Sequence, residues 1–84
     1  MAKKQKTKLF RVFWETPTNL GFDKVAIKLF KTRAGANRYA KTLLKEAKAE
    51  RESVEEDTAI VIEDVHTGER VKQWIFREDE IDEY

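Results

Sequence analysis

The stretch KLFRVFWET, residues 8–16, decides the fold because it breaks the alternation of a half-buried strand. Such a strand places apolar residues on one face and polar residues on the other. Phe10, Val12 and Trp14 share one face here, while the opposite face reads Leu9, Arg11, Phe13, Glu15. The first face belongs to a core. The second mixes aromatic, aliphatic and charged side chains, and what it touches is the main question the sequence raises.

Working outward, PTNLGFD (17–23) holds the only proline and one of three glycines, and predicts a turn into a second strand, KVAIKLFK (24–31). Alternation directs Val25, Ile27 and Leu29 inward and Lys24, Ala26, Lys28 and Phe30 outward, in a hairpin with the first strand. Thr32 is a helix cap, and the residues up to about Glu52 are helix formers. Ala36, Tyr39, Ala40, Leu43, Leu44 and Ala47 fall on one helical stripe; Arg38, Lys41, Lys45 and Lys48 form a basic stripe beside it. TAIVIEDV (58–65) and RVKQWIFR (70–77) read as two further strands around the turn HTGE, where Gly68 accepts a positive φ. The fold class is α+β: a single small domain of order β-β-α-β-β, with a mainly antiparallel four-stranded sheet and one helix packed on one face. Residues 1–7 read as a basic arm, 8–77 as the domain and 78–84 as an acidic tail.

At 84 residues the chain forms one domain with a modest core. It has no cysteine, which suits a reducing cytoplasm, and shows neither a secretory h-region nor a stretch of about 20 apolar residues for a membrane span. The net charge of +1 conceals a division. Residues 1–48 carry thirteen Lys/Arg against three acids, whereas residues 49–84 carry four against thirteen. A chain polarised in this way suggests either two charged surfaces with different partners or an acidic segment that shields a basic one.

Nothing in the sequence specifies catalysis. His66 falls in a predicted turn, where a surface residue is the default and the sequence gives no sign of a general base, Ser53 has no triad context, and the acidic runs lack the order of a calcium loop. No cofactor or metal site is expected, and the protein reads as a non-enzyme. The basic half instead suits nucleic acid. Lys3, Lys4, Lys6 and Lys8 of the arm, with Arg38, Lys41, Lys45 and Lys48, would contact phosphates. If the second sheet face is open, Arg11, Phe13, Lys28 and Phe30 would line it, and its aromatics (Trp74 as well, depending on register) would stack on bases. No stretch matches the (K/R)-G-(F/Y)-(G/A)-F-V-x-(F/Y) signature of RNA-recognition motifs, and their element order differs.

Three alternatives stand beside this reading. The second face can be a small core covered by the arm or by Ile81 and Tyr84. The acidic half can dock on a basic protein surface, as a small phage-type regulator or inhibitor would. The aromatic faces of two copies can pair in a homodimer. Under the first or last of these, Phe13 is packed and is not a stacking residue.

Overall fold

The computed structural model describes residues 9–84. Two strands, β1 (Phe10–Thr18) and β2 (Gly21–Phe30), are followed by helix α1 (Arg33–Ala49) and a single 3-10 turn at Arg51–Ser53. Strands β3 (Ala59–Asp64), β4 (Arg70–Phe76) and β5 (Ile81–Glu83) complete one sheet of order β2-β1-β3-β4-β5. Every pairing is antiparallel. The fold is therefore α+β with one helix, and the sheet has five strands instead of four. The added strand comes from the acidic segment, where Ile81 pairs with Phe76 and Glu83 with Trp74.

α1 forms as its sequence dictates. Thr32 takes an extended conformation, and its Oγ1 accepts a hydrogen bond from the Gly35 amide at 3.0 Å. Gly35 suits this position because a Cβ there would lie 3.2 Å from Thr32 Oγ1 and 3.3 Å from the Phe30 ring. Ala36, Ala40 and Ala47 are buried, with Tyr39, Leu43 and Leu44 packed beside them. These small residues bring the helix close to Phe10, Val12, Ile60, Ile62, Trp74 and Phe76 on the sheet. At the far end the helix stops at Ala49, earlier than the run of helix formers implied.

β1 is the hinge of the architecture, since it lies between β2 and β3 and is buried on both faces. Phe10 and Val12 face α1, with Trp14 in the same row. Phe13 faces the other way and is 0% exposed, although no helix covers that side. It packs with Ala59, Val61 and Ile75 in a second small cluster. Two cations close the cluster: Lys24 Nζ lies 4.8 Å from the Phe13 ring centroid and the Arg70 guanidinium 5.9 Å. Glu15, itself buried, anchors that guanidinium at 2.9 Å. The second face of KLFRVFWET thus touches a lid of charged side chains.

β2 departs from the simple alternation in its sequence. Lys28 pairs with Val12 and Val25 with Trp14, so Ala26 and Ile27 together oppose Phe13. The extra residue is a β-bulge, with Ala26 at a φ of 55°. It exchanges the faces of the strand part-way along. Lys28 and Phe30 consequently share the helix side with Val12 and Phe10, not the Arg11 and Phe13 side that alternation assigned them. Val25, Ile27 and Leu29 do not enter the core, and each remains about half exposed. β2 is an edge strand projecting past the helix, and beyond Glu15 the β1–β2 hairpin has no pairing with β3.

Both faces of β1 should prove structural. Val12→Ala is expected to cost about 2–3 kcal/mol, and Phe13→Ala about 3–5 kcal/mol, because each empties a fully buried site. Denaturant melts of the two variants check this; a loss for Phe13→Ala well below that for Val12→Ala would mean the charged lid leaves the ring accessible.

Candidate nucleic-acid interface

The interface expected from the sequence is divided by the fold into three parts. Lys3, Lys4, Lys6 and Lys8 lie outside the described residues. The sheet residues are used internally. Phe13 is sealed, and Arg11 donates to Glu63 Oε1 at 2.7 Å, which neutralises the charge a phosphate would have met. Trp74 is buried beneath α1. No open aromatic platform exists among the described residues of that sheet face.

The helical part is different. Arg38, Lys41, Lys45 and Lys48 are all exposed on the side of α1 opposite its buried alanines. At 100° per residue they occupy one outward strip, and their ten-residue span covers roughly 15 Å of helix axis. None of the four forms an ion pair among the described residues. Beside this strip, β2 and α1 enclose a shallow groove of about 330 Å³ lined by Phe30, Gly35, Arg38, Tyr39 and Thr42. The Phe30 and Tyr39 ring centroids are 5.3 Å apart, and Lys28 Nζ lies 5.1 Å from the Tyr39 centroid. The fold thus gathers Lys28, Phe30 and Arg38 at one place, away from Arg11 and Phe13. Tyr39 joins them; its position in the apolar helical stripe concealed that it stands at the rim of the core.

The reason these cations are available emerges from the rest of the charge distribution. All four Lys/Arg residues of 49–84 have internal tasks. Arg51 Nη2 donates to the carbonyls of Arg77, Glu78 and Glu80, and so holds the β4–β5 connection. Arg70 pairs with Glu15. Lys72 pairs with Glu83. Arg77 pairs with Asp57 at 2.6 Å and Asp82 at 3.1 Å, which raises its pKa and keeps it charged. In the basic half, Arg11 alone among the described residues forms an ion pair. Arg33 Nη2 donates to the Val71 carbonyl at 3.3 Å, and Lys24 and Lys28 lie over rings.

At the end of the molecule where α1 stops, the acidic half forms its own surface. Exposed Glu52 and Glu56 meet Glu78 around a cavity of about 450 Å³, with Val54 and Phe76 in its walls. Asp57, at a φ of 74°, donates its amide to the Phe76 carbonyl and fixes this corner. No cluster of His, Cys, Asp or Glu able to hold a metal ion is present among the described residues. No helix of the described residues is long and apolar enough to cross a membrane. Compared with known proteins, the chain matches no family model, no curated protein and no solved structure at a significant level.

The Lys72–Glu83 pair gives a pH test of the β5 attachment. Hydrogen bonding and then charge attraction from Lys72 hold the Glu83 carboxyl below its usual value of 4.5. A folded-state value below the unfolded one stabilises above the unfolded value, and that contribution disappears as pH falls through the folded value. Wild type should therefore melt above Glu83→Gln near neutral pH, and the two melting temperatures should converge as pH drops below 4.5. Thermal melts across that range provide the measurement; because the pair is exposed, added salt should also narrow the gap.

Proposed function

We propose that this protein is a non-catalytic binding module that contacts nucleic acid through the outer face of α1. The observation that carries this reading is the set of exposed cations Arg38, Lys41, Lys45 and Lys48, none of which forms a salt bridge among the described residues, although Lys41 lies near enough to Glu83 to feel its charge. Phosphates along one strand of a duplex are spaced about 3.4 Å along the axis, so a strip of roughly 15 Å faces about four of them. Binding of this kind positions a backbone, since contacts to phosphates carry no sequence information directly. The lysines at positions 3, 4, 6 and 8 would add to the same term.

The burial of Phe13 removes the sheet as a stacking surface, so the contacts are electrostatic first. The groove formed by Phe30 and Tyr39 is the remaining place for an unstacked base. A second reading rests on the acidic end, where exposed Glu52, Glu56 and Glu78 rim a partly apolar cavity whose lining also includes Arg51 and Arg77; the rim carboxylates suit a basic protein surface. The two readings respond oppositely to the sign of the ligand.

Fluorescence anisotropy with labelled duplex and single strands across a salt series tests the proposal. Neutralising about 4–6 phosphates gives a log–log slope of roughly −3 to −5. Arg38→Gln, Lys41→Gln, Lys45→Gln and Lys48→Gln should each flatten that slope by about one, with little effect on stability. Absence of binding at low salt, or slopes that ignore these four changes, would refute the reading.

A further inference from the structure

The β1–β2 hairpin carries an apolar surface that neither the core nor the cationic strip uses. Leu20 is 99% exposed, Phe22 58%, Val25 48%, Ile27 54% and Leu29 55%. Every residue from Gly21 to Leu29 is exposed. Scattered apolar side chains are ordinary on a surface, but five within ten residues, on β2 and the turn before it, along an edge with no outer neighbour among the described residues, form a sticky edge. We infer that β2 is the seam of a homodimer, in which the β2 strands of two copies pair antiparallel about a two-fold axis between Val25 and Ala26.

The bulge supports this arrangement over other occupants of the edge. Before it, Phe22 and Lys24 stand opposite Pro17 and Glu15, on the Phe13 side of the sheet, while Asp23 and Val25 stand on the helix side. After it, Leu29 stands opposite Arg11 on the Phe13 side, with Ile27 in its row, and Lys28 and Phe30 stand on the helix side. A bulge normally spoils an edge for pairing, because a regular partner strand keeps its alternation while the bulged one changes. Two copies of the same bulged strand change at the same point. The two-fold register sets Phe22 opposite Leu29 of the second copy, Asp23 opposite Lys28, Lys24 opposite Ile27 and Val25 opposite Ala26. In the first three pairs the residues share a face, as directly opposed residues must.

The chemistry of these pairs is complementary. Phe22 and Leu29 make an aromatic–aliphatic contact twice, once on each side of the axis. Asp23 and Lys28 make an opposite-charge pair twice. Lys24 lays its stem along Ile27 while its ammonium stays over the Phe13 ring. An unrelated peptide strand could hydrogen-bond to this edge, but nothing would fix its alternation to a bulge at Ala26. With the axis perpendicular to the sheet, the two sheets become continuous and both α1 helices lie on the same side.

The charge pairs supply a test that separates self-pairing from any other occupant. Wild type should be a concentration-dependent dimer by sedimentation equilibrium. Asp23→Lys and Lys28→Asp each set like charges together twice across the seam, and each should weaken self-association roughly tenfold or more. Mixing the two variants restores both attractions, so the mixture should dimerise although neither component does. Circular dichroism melts establish that both variants fold, as expected for exposed positions. Ile27→Lys, which sets a lysine against Lys24 of the second copy twice, should also prevent the dimer. A wild type that stays monomeric at high micromolar concentration overturns the proposal. So does a dimer that is indifferent to the two charge reversals, or a mixture that fails to associate.

Discussion

The structure depends on keeping Phe13 from water on a face that has no second layer. β1 runs between β2 and β3, so its two rows of side chains must both be sealed, yet the chain supplies one helix. α1 seals the row containing Phe10, Val12 and Trp14. The other row is closed by side chains that are long, charged and apolar along their stems. Lys24 and Arg70 reach over the ring from strands on either side, the exposed lysine keeping its ammonium at the surface and the guanidinium turning to the buried Glu15 carboxylate. Glu15 holds Arg70 in place, and Arg11 with Glu63 forms the next rung. Such a lid costs side-chain entropy and gains little from exposed ion pairs alone. Its contribution is the dry space it maintains around an aromatic ring. The same lid closes off the face that would otherwise have stacked bases.

How far the sequence reveals this fold follows from which physical signals are local. The helix was legible in its cap and its period: Thr32 accepts the Gly35 amide, and the alanine stripe points inward as its spacing requires. The strands at Ala59–Asp64 and Arg70–Phe76 were legible from their apolar runs and from the turn in which Gly68 adopts a φ of 77°. β2 was legible as a strand and illegible in its faces, because nothing in KVAIKLFK announces a bulge at an alanine. One inserted residue moved Lys28 and Phe30 to the helix side and left Ile27 outside. β5 was hidden because EDEIDEY reads as solvated acid. Its attachment draws on Arg51, distant in sequence, which holds the connection, and on Arg77, which holds the Asp82 side chain. Of the candidate site, the helical cations were readable from their spacing, whereas the burial of Phe13 is a property of its neighbours across the sheet.

The charge division along the chain acquires a physical meaning once the pairs are assigned. A polarised sequence could neutralise itself by folding its halves together, and here that happens at two points, Arg11 with Glu63 and Glu15 with Arg70. Elsewhere the acidic half satisfies its few cations within itself, around β4 and β5. The helix cations Arg38, Lys41, Lys45 and Lys48 thereby enter none of the salt bridges among the described residues. This is a consequence of topology. β3 and β4 place their charged residues beside each other and beside β1, whereas among the described residues no element packs on the outer face of α1.

The proposed dimer and the proposed interface meet in the position of the helices. A two-fold axis perpendicular to the sheet leaves both outer faces of α1 turned to the same side, so one nucleic-acid strand or duplex could engage two cationic strips. Linked sites bind with an effective concentration set by the linkage, and avidity then exceeds the affinity of either strip without any new contact. The seam draws on Asp23, Lys28 and the apolar edge of β2, and it leaves Arg38, Lys41, Lys45 and Lys48 untouched. Lys28 alone serves both, as it lies between the Tyr39 ring and the edge of the strand. Pairing it with Asp23 of a second copy withdraws one charge from the groove while bringing a second set of four helix cations to the same side. The balance favours the dimer as the form that binds, because phosphate contacts accumulate with each cation presented and the loss is limited to one per copy.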